Sequence, residues 1–407
     1  MSSRPSIVLC ILLLLAVPIL ASVTAKESYD CGTKTGIETT SITPSSIEHS
    51  QITIRNNRDF PQQGWEGSGT SSDPYIIENL NISLSSDTCI LIYNVTAHFV
   101  IRNSYLSTSD EFAFNIQFIS SSSGKVDNCT ITGGGYGVSI SSSSGIDVAN
   151  CTIYSTNTGI SISNSESCFI GSNSIYGTNT GVRFYNSMNN TVADNKVYRA
   201  EDRGIVMDYW TSDNRIFYNH VGWNGPDGQP DHAFNAVDQG ENNVWDDNIS
   251  LGNFWSEYEG SGIYAIEGTG EAFDRYPTYF NDTQAPIFKN RAEDLAYDVG
   301  DRSIHFINWT AHDAHPYRYE IVRDDSIIQS GIWHLQSVRV DVGRLDEGVH
   351  NFTINFVDGS GNRINDSAIV YVILYLLGDV GTDLVGYASI IAVFAVMSMV
   401  ILLRKRR

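Results

Sequence analysis

The sequence is poor in positive charge. Its 407 residues include 25 lysines and arginines against 46 aspartates and glutamates, which gives a net charge of −21. A protein that neutralises phosphates needs a basic face, so this balance argues against nucleic acid as a partner. It says little more about function, because an acidic surface outside the cell is ordinarily just well solvated.

Cysteine is also scarce, with six in the whole chain. A disulfide-rich scaffold is therefore not expected. If Cys10 is lost with a signal peptide, an odd number remains: Cys31, Cys89, Cys129, Cys151 and Cys168. A bridge between Cys31 and Cys89 is one option, and the sequence leaves the pairing open.

Long apolar runs stand at the two ends of the chain. Residues 1–25 combine a basic start, an apolar run and small residues at Val23 and Ala25, the pattern of a signal peptide. Residues 384–403 are an uncharged stretch of about 20 residues, enough to span a bilayer as a helix. The basic residues 404–407 should stay cytoplasmic. The sequence thus predicts a single-pass protein of the cell membrane, with its ectodomain outside and its C-terminus in the cytoplasm.

Glycosylation sequons fit an exported protein. The predicted acceptors are Asn81, Asn94, Asn189, Asn248, Asn281, Asn308, Asn351 and Asn365. Asn128 and Asn150 also precede X-Ser/Thr, but both stand close to predicted packed turns. A chain this rich in serine, threonine and asparagine also contains sequons by chance.

The middle of the chain has few apolar residues, yet it repeats with a period near 22. The segments IRNSYLS, VDNCTIT, VANCTIY, IGSNSIY, VADNKVY and IFYNHVG align on the column Asn103, Cys129, Cys151, Asn173, Asn195 and Asn219. A second column opens short apolar-polar-apolar strands at Gly137, Gly159, Gly181 and Gly204. Such short strands at this period indicate a parallel β-helix, in which each coil pairs with the next one about 4.8 Å away.

Like residues stack on like in such a solenoid. The asparagine column is predicted to form a ladder of side-chain amides that satisfies buried backbone groups at the turns. Cys129 and Cys151 would replace two rungs as small buried groups, either as free thiols or as a disulfide. The solenoid, rather than the single strand, then supplies the core, and exposed positions can be serine and threonine.

Three elements resemble the NosD-like right-handed parallel β-helix family. They are GSGTSSDPYIIENL at Gly67–Leu80, the asparagine column, and GNFWSEY at Gly252–Tyr258, which is similar to that family's Gly-Asn-Tyr-Trp-Ser-Asp-Tyr closing motif. The resemblance implies a pectate-lyase-like right-handed solenoid, which we place at residues 51–280, with residues 26–50 as its N-terminal cap. The segment after the closing motif departs from the family's Asp/Gly-rich pattern, which puts any metal role of that segment in doubt.

Residues 283–374 have a different pattern. The short strands INWTA, YRYEIV, SVRVDV, NFTINF and IVYVI alternate apolar and polar residues and are separated by turns, which argues for an antiparallel β-sandwich. With Trp309 as its core aromatic, this segment resembles Ig-like or fibronectin-type-III-like modules, and it has no cysteine pair for the disulfide of true immunoglobulin domains. The predicted fold class is therefore all-β: a right-handed parallel β-helix, a C-terminal antiparallel β-sandwich and one transmembrane helix.

The densest group of charged residues lies between Asp202 and Asp238, where the repeat widens into the loop GWNGPDGQPDH. Many β-helices are polysaccharide lyases or hydrolases, which need paired carboxylates or Ca²⁺-binding aspartates. The catalytic candidates are Asp202, Asp208, Asp231 and His232. These residues either converge in a sugar-binding cleft or are ordinary surface charges. Trp210 and Trp223 are the ligand-binding candidates, as platforms for sugar rings or as loop anchors.

The NosD-like resemblance also raises copper, because NosD is tied to the maturation of a copper enzyme. Copper(I) prefers thiolate and thioether ligands, whereas the predicted extracellular part offers only Met188 and Met207 besides its cysteines. His312 and His315 in AHDAHP are the candidate metal ligands, although such a pair is also common on an exposed bend. No cofactor is predicted, and Ca²⁺ or copper remains the alternative.

The function predicted from the sequence is non-catalytic binding of glycans or neighbouring surface glycoproteins along the flank of the solenoid. One alternative is a membrane-anchored polysaccharide lyase or hydrolase that uses the Asp202–Asp238 region. The other is a NosD-like accessory in the maturation of a copper enzyme.

Overall fold

The computed structural model describes residues 47–226 and 232–374. The predicted signal peptide at 1–25, most of the predicted cap at 26–50, and the predicted membrane and tail segments at 384–407 lie outside these residues. Within the described part, a solenoid of parallel strands is followed by a second module built from two smaller sheets.

Three parallel sheets wind around the solenoid. Sheet 1 contains β1 (Ile47–Glu48), β4 (Leu80–Leu84), β7 (Tyr105–Thr108), β10 (Thr130–Thr132), β13 (Thr152–Tyr154), β16 (Ser174–Tyr176), β19 (Lys196–Tyr198), β22 (His220–Gly222), β24 (Phe254–Trp255) and β27 (Thr278–Tyr279). Sheet 2 contains β2 (Ile52–Ile54), β5 (Ile90–Tyr93), β8 (Phe114–Ile119), β11 (Tyr136–Ser141), β14 (Thr158–Ser163), β17 (Thr180–Tyr185), β20 (Arg203–Met207) and β23 (Ala236–Asp238). Sheet 3 contains β3 (Tyr75–Glu78), β6 (Phe99–Arg102), β9 (Gly124–Asp127), β12 (Asp147–Ala149), β15 (Phe169–Gly171), β18 (Thr191–Ala193) and β21 (Arg215–Phe217).

From β2 to β22, each coil contributes one strand to every sheet and pairs with its neighbouring coils. In sheet 1, Ile131, Ile153, Ile175, Val197 and Val221 are successive in-register partners, and all five are buried. Burying each of these side chains stabilises the fold by roughly 1.5–3 kcal/mol. The predicted repeat and β-helix are confirmed. A mostly polar sequence can form this fold because one line of inward-facing side chains per sheet is enough to fill the core.

An asparagine ladder runs along the inside of a turn. The side-chain Oδ1 of Asn195 accepts the backbone N–H of Asn173 at 3.0 Å and its side-chain amide at 2.9 Å. Asn219 accepts the same two hydrogen bonds from Asn195, and Asn253 accepts them from Asn219. Each side chain thereby satisfies a buried N–H of the previous coil, which strand pairing leaves unpaired at the turn.

The first predicted rung of this ladder is shifted by one residue. Thr130 pairs with Tyr105, so Ser104 is the residue that stacks below Cys129. The Ser104 hydroxyl accepts the backbone N–H of Leu80 at 3.2 Å. Asn103 is not a rung: it has a positive φ of 51° in the turn, and its Oδ1 accepts the side-chain amide of Asn128.

The glycine column marks places where two coils touch through their backbones. A Cβ added to Gly159 would lie 2.6 Å from the carbonyl oxygen of Gly181, and one added to Gly137 would lie 2.5 Å from that of Gly159. Gly204 meets the carbonyl of Asn235 in the same way. The next strand begins at Ala236, directly after the short helix α2 (His232–Asn235).

The cysteines of the described residues are free thiols. Cys89, Cys129, Cys151 and Cys168 are all buried and unbridged. Burial raises the pKa of the Cys89 and Cys168 thiols to about 11, so both are protonated and inert at neutral pH. The suggested partner of Cys89, Cys31, lies outside the described part of the chain.

The closing motif ends the asparagine ladder. Asn253 is the last rung of the ladder, and its backbone N–H donates to the Asp274 carboxylate at 2.6 Å. The indole of Trp255, which is fully buried, donates to the same carboxylate at 3.0 Å. Asp274 belongs to the hairpin β25 (Tyr264–Ala265) and β26 (Phe273–Asp274), while α1 (Asp59–Gln62) packs Phe60 into the other end.

Two sheets enclose a second core beyond the solenoid. One contains β28 (Ile287–Asn290), β30 (Phe306–His312) and β33 (Val338–Asp341). The other contains β29 (Leu295–Asp298), β31 (Pro316–Arg323), β32 (Ser326–Ile332), β34 (Gly348–Asp358) and β35 (Arg363–Ile373). Their pairing is antiparallel except between β29 and β35, which are parallel. Trp309 and Trp333 are fully buried between the sheets. We call this module the sandwich.

The predicted transmembrane helix and the single-pass membrane location require correction. No helix in the described residues is long and apolar enough to cross a membrane. The two helices that are described, α1 and α2, have four residues each, which is about 6 Å of helix against about 30 Å of hydrocarbon. The predicted segment at 384–403 lies outside the described residues.

Candidate functional site

A polar groove follows the edge where sheet 2 turns toward sheet 3. We call it the flank groove. It has a volume of about 330 Å³ and is lined by Ser142, Ser143, Ser144, Asn164, Ser165, Glu166, Asn186 and Met188. These residues come directly after β11, β14 and β17, so successive coils present the same positions 22 residues apart.

The backbone of the flank groove is set by two repeated positions. Ser142, Asn164 and Asn186 have φ values of 49°, 48° and 46°, a left-handed conformation that asparagine adopts more readily than most residues. One residue further on, a buried serine ladder holds the coils together: the Ser143 N–H donates to the Ser165 hydroxyl at 3.0 Å. The repetition of serine and asparagine at these positions is the sequence pattern that could have indicated this groove. The same residues also occur at turns that bind nothing.

Two of the predicted site residues meet at one end of the flank groove. Oδ1 of Asp208 accepts the backbone N–H of Asn186 at 3.0 Å and the Thr211 hydroxyl at 2.6 Å, while its Oδ2 is buried without a partner. Beside it, Tyr185 and Trp210 are 47% and 62% exposed, with ring centroids 5.8 Å apart. Exposed aromatic rings next to hydroxyl and amide groups suit the apolar face and the polar edge of a sugar ring.

The other catalytic candidates are not brought to this place. Asp202 precedes β20 and Asp208 follows it, so they stand about 20 Å apart along an extended strand, and Asp202 pairs with Arg203. Asp231 lies outside the described residues, and the side chain of His232 is not described. Trp223 is half-buried and packs against Tyr198 and Phe280, away from the flank groove.

Among the predicted glycosylation sites, seven asparagines are exposed: Asn94, Asn189, Asn248, Asn281, Asn308, Asn351 and Asn365. Asn81 is half-buried, and its side-chain amide donates to Glu48. Asn189 lies next to Met188 of the flank groove, so a glycan on that residue would stand at the groove's edge.

A second polar space lies where the sandwich meets sheet 1. We call it the junction cavity, and its volume is about 340 Å³. Its walls include Tyr176, Lys196 and Tyr198 from the solenoid and Asp313 and His334 from the sandwich. The repeat places Tyr154, Tyr176 and Tyr198 in register, and their rings stack with centroids 5.7 and 4.9 Å apart.

Hydrogen bonds fix the sandwich against this tyrosine column. Tyr198 donates its hydroxyl to the carbonyl of Pro316 at 2.9 Å, and Lys196 Nζ donates to the carbonyl of Ala314 at 3.0 Å. Arg199 Nε donates to the carbonyl of Gly359 at 2.6 Å. Burial lowers the pKa of Lys196, against the opposing charges of Asp194, Asp313 and Asp282.

Three possible metal ligands converge beside this cavity, and we call them the junction cluster: Asp282, Asp313 and His315, whose ligand atoms lie within 4.8 Å of one another. His315 Nδ1 lies 2.8 Å from Oδ2 of Asp282, and the His315 backbone N–H donates to Asp313 Oδ1 at 2.7 Å. Burial raises the pKa of Asp313 to about 6, aided by the charges of Asp358 and Asp282. His312, the other predicted metal ligand, is exposed. No sequence signal pointed to Asp282, which is 31 residues from Asp313.

The contact between His334 and Tyr154 is predicted to weaken in acid. The His334 ring stacks on Tyr154 with centroids 4.4 Å apart, and burial lowers the pKa of His334 from 6.5 to about 4. Because the folded state binds the proton less tightly, this residue's contribution to stability is complete above pH 6.5. It is lost as the pH falls from 6.5 through 4. We expect urea midpoints to fall more between pH 7 and pH 5 in the wild type than in His334→Gln.

Far-UV circular dichroism at pH 7 provides the control, because both proteins must be equally folded before acidification. Equal losses in the wild type and in His334→Gln would contradict the assignment. Other groups that titrate in this range, such as His220 and Asp313, are the same in both proteins, so the difference isolates His334.

The three parallel sheets define the solenoid as a parallel β-helix repeat fold. Residues 88–272 match the family model described as the right handed beta helix region, and this segment of the chain is a right-handed β-helix. A comparison with curated proteins finds no match.

Several solved structures are similar to this chain at low identity. An alginate lyase from Paenibacillus sp. str. FPU-7 is 11% identical with a TM-score of 0.39, over 57% of this chain and 95% of that one. The periplasmic alginate epimerase AlgG is 14% identical with a TM-score of 0.28, over 62% of this chain and 78% of that one. The fibronectin(III)-like modules of Clostridium thermocellum CbhA are 18% identical with a TM-score of 0.17, over 22% of this chain and 96% of those modules.

Proposed function

We propose that this protein binds a glycan along the flank groove without cleaving it. The observation that carries the proposal is the pairing of exposed aromatic rings, Tyr185 and Trp210, with a strip of hydroxyl and amide groups that repeats from coil to coil. Because the coils are about 4.8 Å apart, a repeating strip of this kind offers similar contacts to successive parts of an extended chain of sugars.

The charge of the flank groove favours a neutral glycan. Glu166 lines it, Asp208 stands at its end, and no lining residue is positively charged. A polymer of uronic acids would meet carboxylates without a counter-charge, which costs binding energy and slows association. The serine and asparagine side chains can donate to and accept from neutral sugar hydroxyls equally well.

The position of Asp208 favours binding over catalysis. Its Oδ1 is held by Asn186 and Thr211, so this carboxylate stabilises the turn that carries Trp210. Glycoside hydrolysis ordinarily needs two carboxyl groups on either side of the bond, and of the predicted pair Asp202 and Asp208 only Asp208 stands at the flank groove, because Asp202 lies at the opposite end of β20. A surface glycoprotein would be recognised through the same sugar groups.

We propose that the solenoid is NosD-like, supported by the hydrogen bonds of Asn253 and Trp255 of the closing motif to Asp274. We propose that the sandwich is an Ig-like or fibronectin-type-III-like spacer, supported by its two sheets around Trp309. A spacer role predicts that removing the solenoid leaves a sandwich without affinity for glycans.

Trp210→Ala is expected to weaken glycan binding about tenfold, since an aromatic contact contributes about 1.4 kcal/mol at such a site. The purified protein is first applied to a glycan array, and the strongest neutral oligosaccharide is then titrated against the wild type and the variant by calorimetry. A release assay with the corresponding polysaccharide is run in parallel and should yield no shortened products.

Phe112→Ala is the matched control, because Phe112 is 78% exposed and lies on another turn of the solenoid. Its affinity should equal that of the wild type. An array without a specific neutral glycan, or an equal loss in both variants, would refute binding at the flank groove. Released oligosaccharides would instead indicate an enzyme.

A further inference from the structure

The junction cluster lies at the boundary between the two modules. Asp282 stands in the linker between β27 and β28, while Asp313 and His315 stand in the turn between β30 and β31. The three side chains are largely shielded from solvent, with Asp282 and His315 at 8% and 7% side-chain exposure. An ion held here would therefore join the linker to the sandwich.

The cluster holds more negative than positive charge. Lys196 is a cation whose charge acts on Asp313, Asp282 and His315. Asp358, whose charge also reaches the cluster, already accepts N–H groups of Ser360, Gly361 and Asn362. Two buried carboxylates against one ammonium leave a negative charge that a bound cation would balance.

A second observation is independent of the charges. The His315 side chain points into the cluster through Nδ1, yet its Nε2 is buried and has no hydrogen-bond partner. The nearest further imidazole, His220, also has an unpartnered buried nitrogen, Nδ1, and its ring centroid is 6.3 Å from that of His315. A buried polar atom without a partner calls for an explanation, and an ion site is one of the recognised ones.

We propose that Asp282, Asp313 and His315 bind a divalent transition-metal ion of the Zn²⁺ class. Two carboxylate oxygens and one imidazole nitrogen are ligands that Zn²⁺ accepts, whereas Ca²⁺ prefers oxygen ligands alone. Asp313 lines the junction cavity, which provides the path by which the ion enters. This site is separate from the flank groove and does not depend on glycan binding.

The test uses the full chain, treated with a chelator and dialysed, and titrated with ZnCl₂ by calorimetry at pH 7.5. We expect one Zn²⁺ per chain, with a melting temperature about 5 °C higher at a hundredfold excess over Kd. Asp313→Asn keeps the shape of the side chain and should reduce the affinity at least about 100-fold, and His315→Gln should do the same. CaCl₂ at the same concentration should not compete.

His312→Ala is the control, because this exposed histidine is three residues from His315 and should not change Zn²⁺ affinity. Circular dichroism and melting of the chelated proteins establish that each variant is folded before Zn²⁺ is added. Folded Asp313→Asn and His315→Gln variants with wild-type affinity would overturn the proposal. So would the absence of Zn²⁺ binding to the wild type, or an equal loss in His312→Ala, which would place the ion on the surface.

Discussion

Asn195→Leu should destabilise the solenoid by about 4 kcal/mol or prevent it from folding, since each buried polar group left unpaired costs about 1–3 kcal/mol. Leucine keeps the branching at Cγ but is larger and cannot form hydrogen bonds, so the loss combines missing hydrogen bonds with overpacking of a buried site. Asn195 accepts two N–H groups of Asn173 and donates its amide to the carbonyl of Ile170 and to Asn219. All of these groups are buried, and none of them can turn toward water.

The measurement is the urea midpoint of unfolding at neutral pH, with the slope compared to establish that the transition remains two-state. Asn179→Leu is the matched control, because Asn179 is exposed in the same stretch of coils. Its stability should stay within about 0.5 kcal/mol of the wild type. Equal midpoints for the two variants would show that the ladder contributes little to stability.

Gly159→Ala is expected to cost about 3 kcal/mol or more, at the upper end of overpacking effects. The added methyl carbon would lie 2.6 Å from the carbonyl oxygen of Gly181 and 2.6 Å from Cγ2 of Ile175. A side chain could rotate away from it, but the carbonyl cannot. The strands β14 and β17 are held in register by backbone hydrogen bonds, so relief requires two whole coils to separate.

Gly145→Ala separates this steric effect from the ordinary cost of replacing a glycine. Gly145 has a φ of +59°, and the nearest atom to its added Cβ is 4.0 Å away. We expect a loss of about 1 kcal/mol there, from backbone conformation alone. If Gly145→Ala were as destabilising as Gly159→Ala in urea unfolding, contact between coils would not be the reason for the glycine column.

The repeat was readable from sequence because stacking imposes the same requirement on every coil. A position that faces the core in one coil faces it 22 residues later, as Ile131, Ile153 and Ile175 show. The first rung of the ladder is Ser104 and not Asn103, because the earlier coils are longer. The aligned column of residues does not show where the extra residues are inserted. Only the pairing of Thr130 with Tyr105 decides this.

The candidate sites were harder to predict, because distance along the sequence does not show which side chains lie together in the fold. Asp208 and Trp210 are close in sequence, and the structure places them at one end of the flank groove. Asp202 looks equally near in sequence, but β20 carries it to the opposite end of a strand. Of the two histidines proposed as metal ligands, one is exposed and the other joins Asp282 and Asp313, which no spacing relates to it.

The amino-acid sequence by itself determined the parallel solenoid and its period, because a coil can stack only on a coil of matching pattern. Its right hand was implied by the family resemblance. Tertiary structure alone decided which side chains meet across long separations: the Tyr154–His334 stack, the junction cluster and the exact rungs of the ladder. Local pattern specifies which face of a strand is buried. Contacts between distant segments depend on how many residues each turn contains, and the repeat in the sequence does not reveal that number.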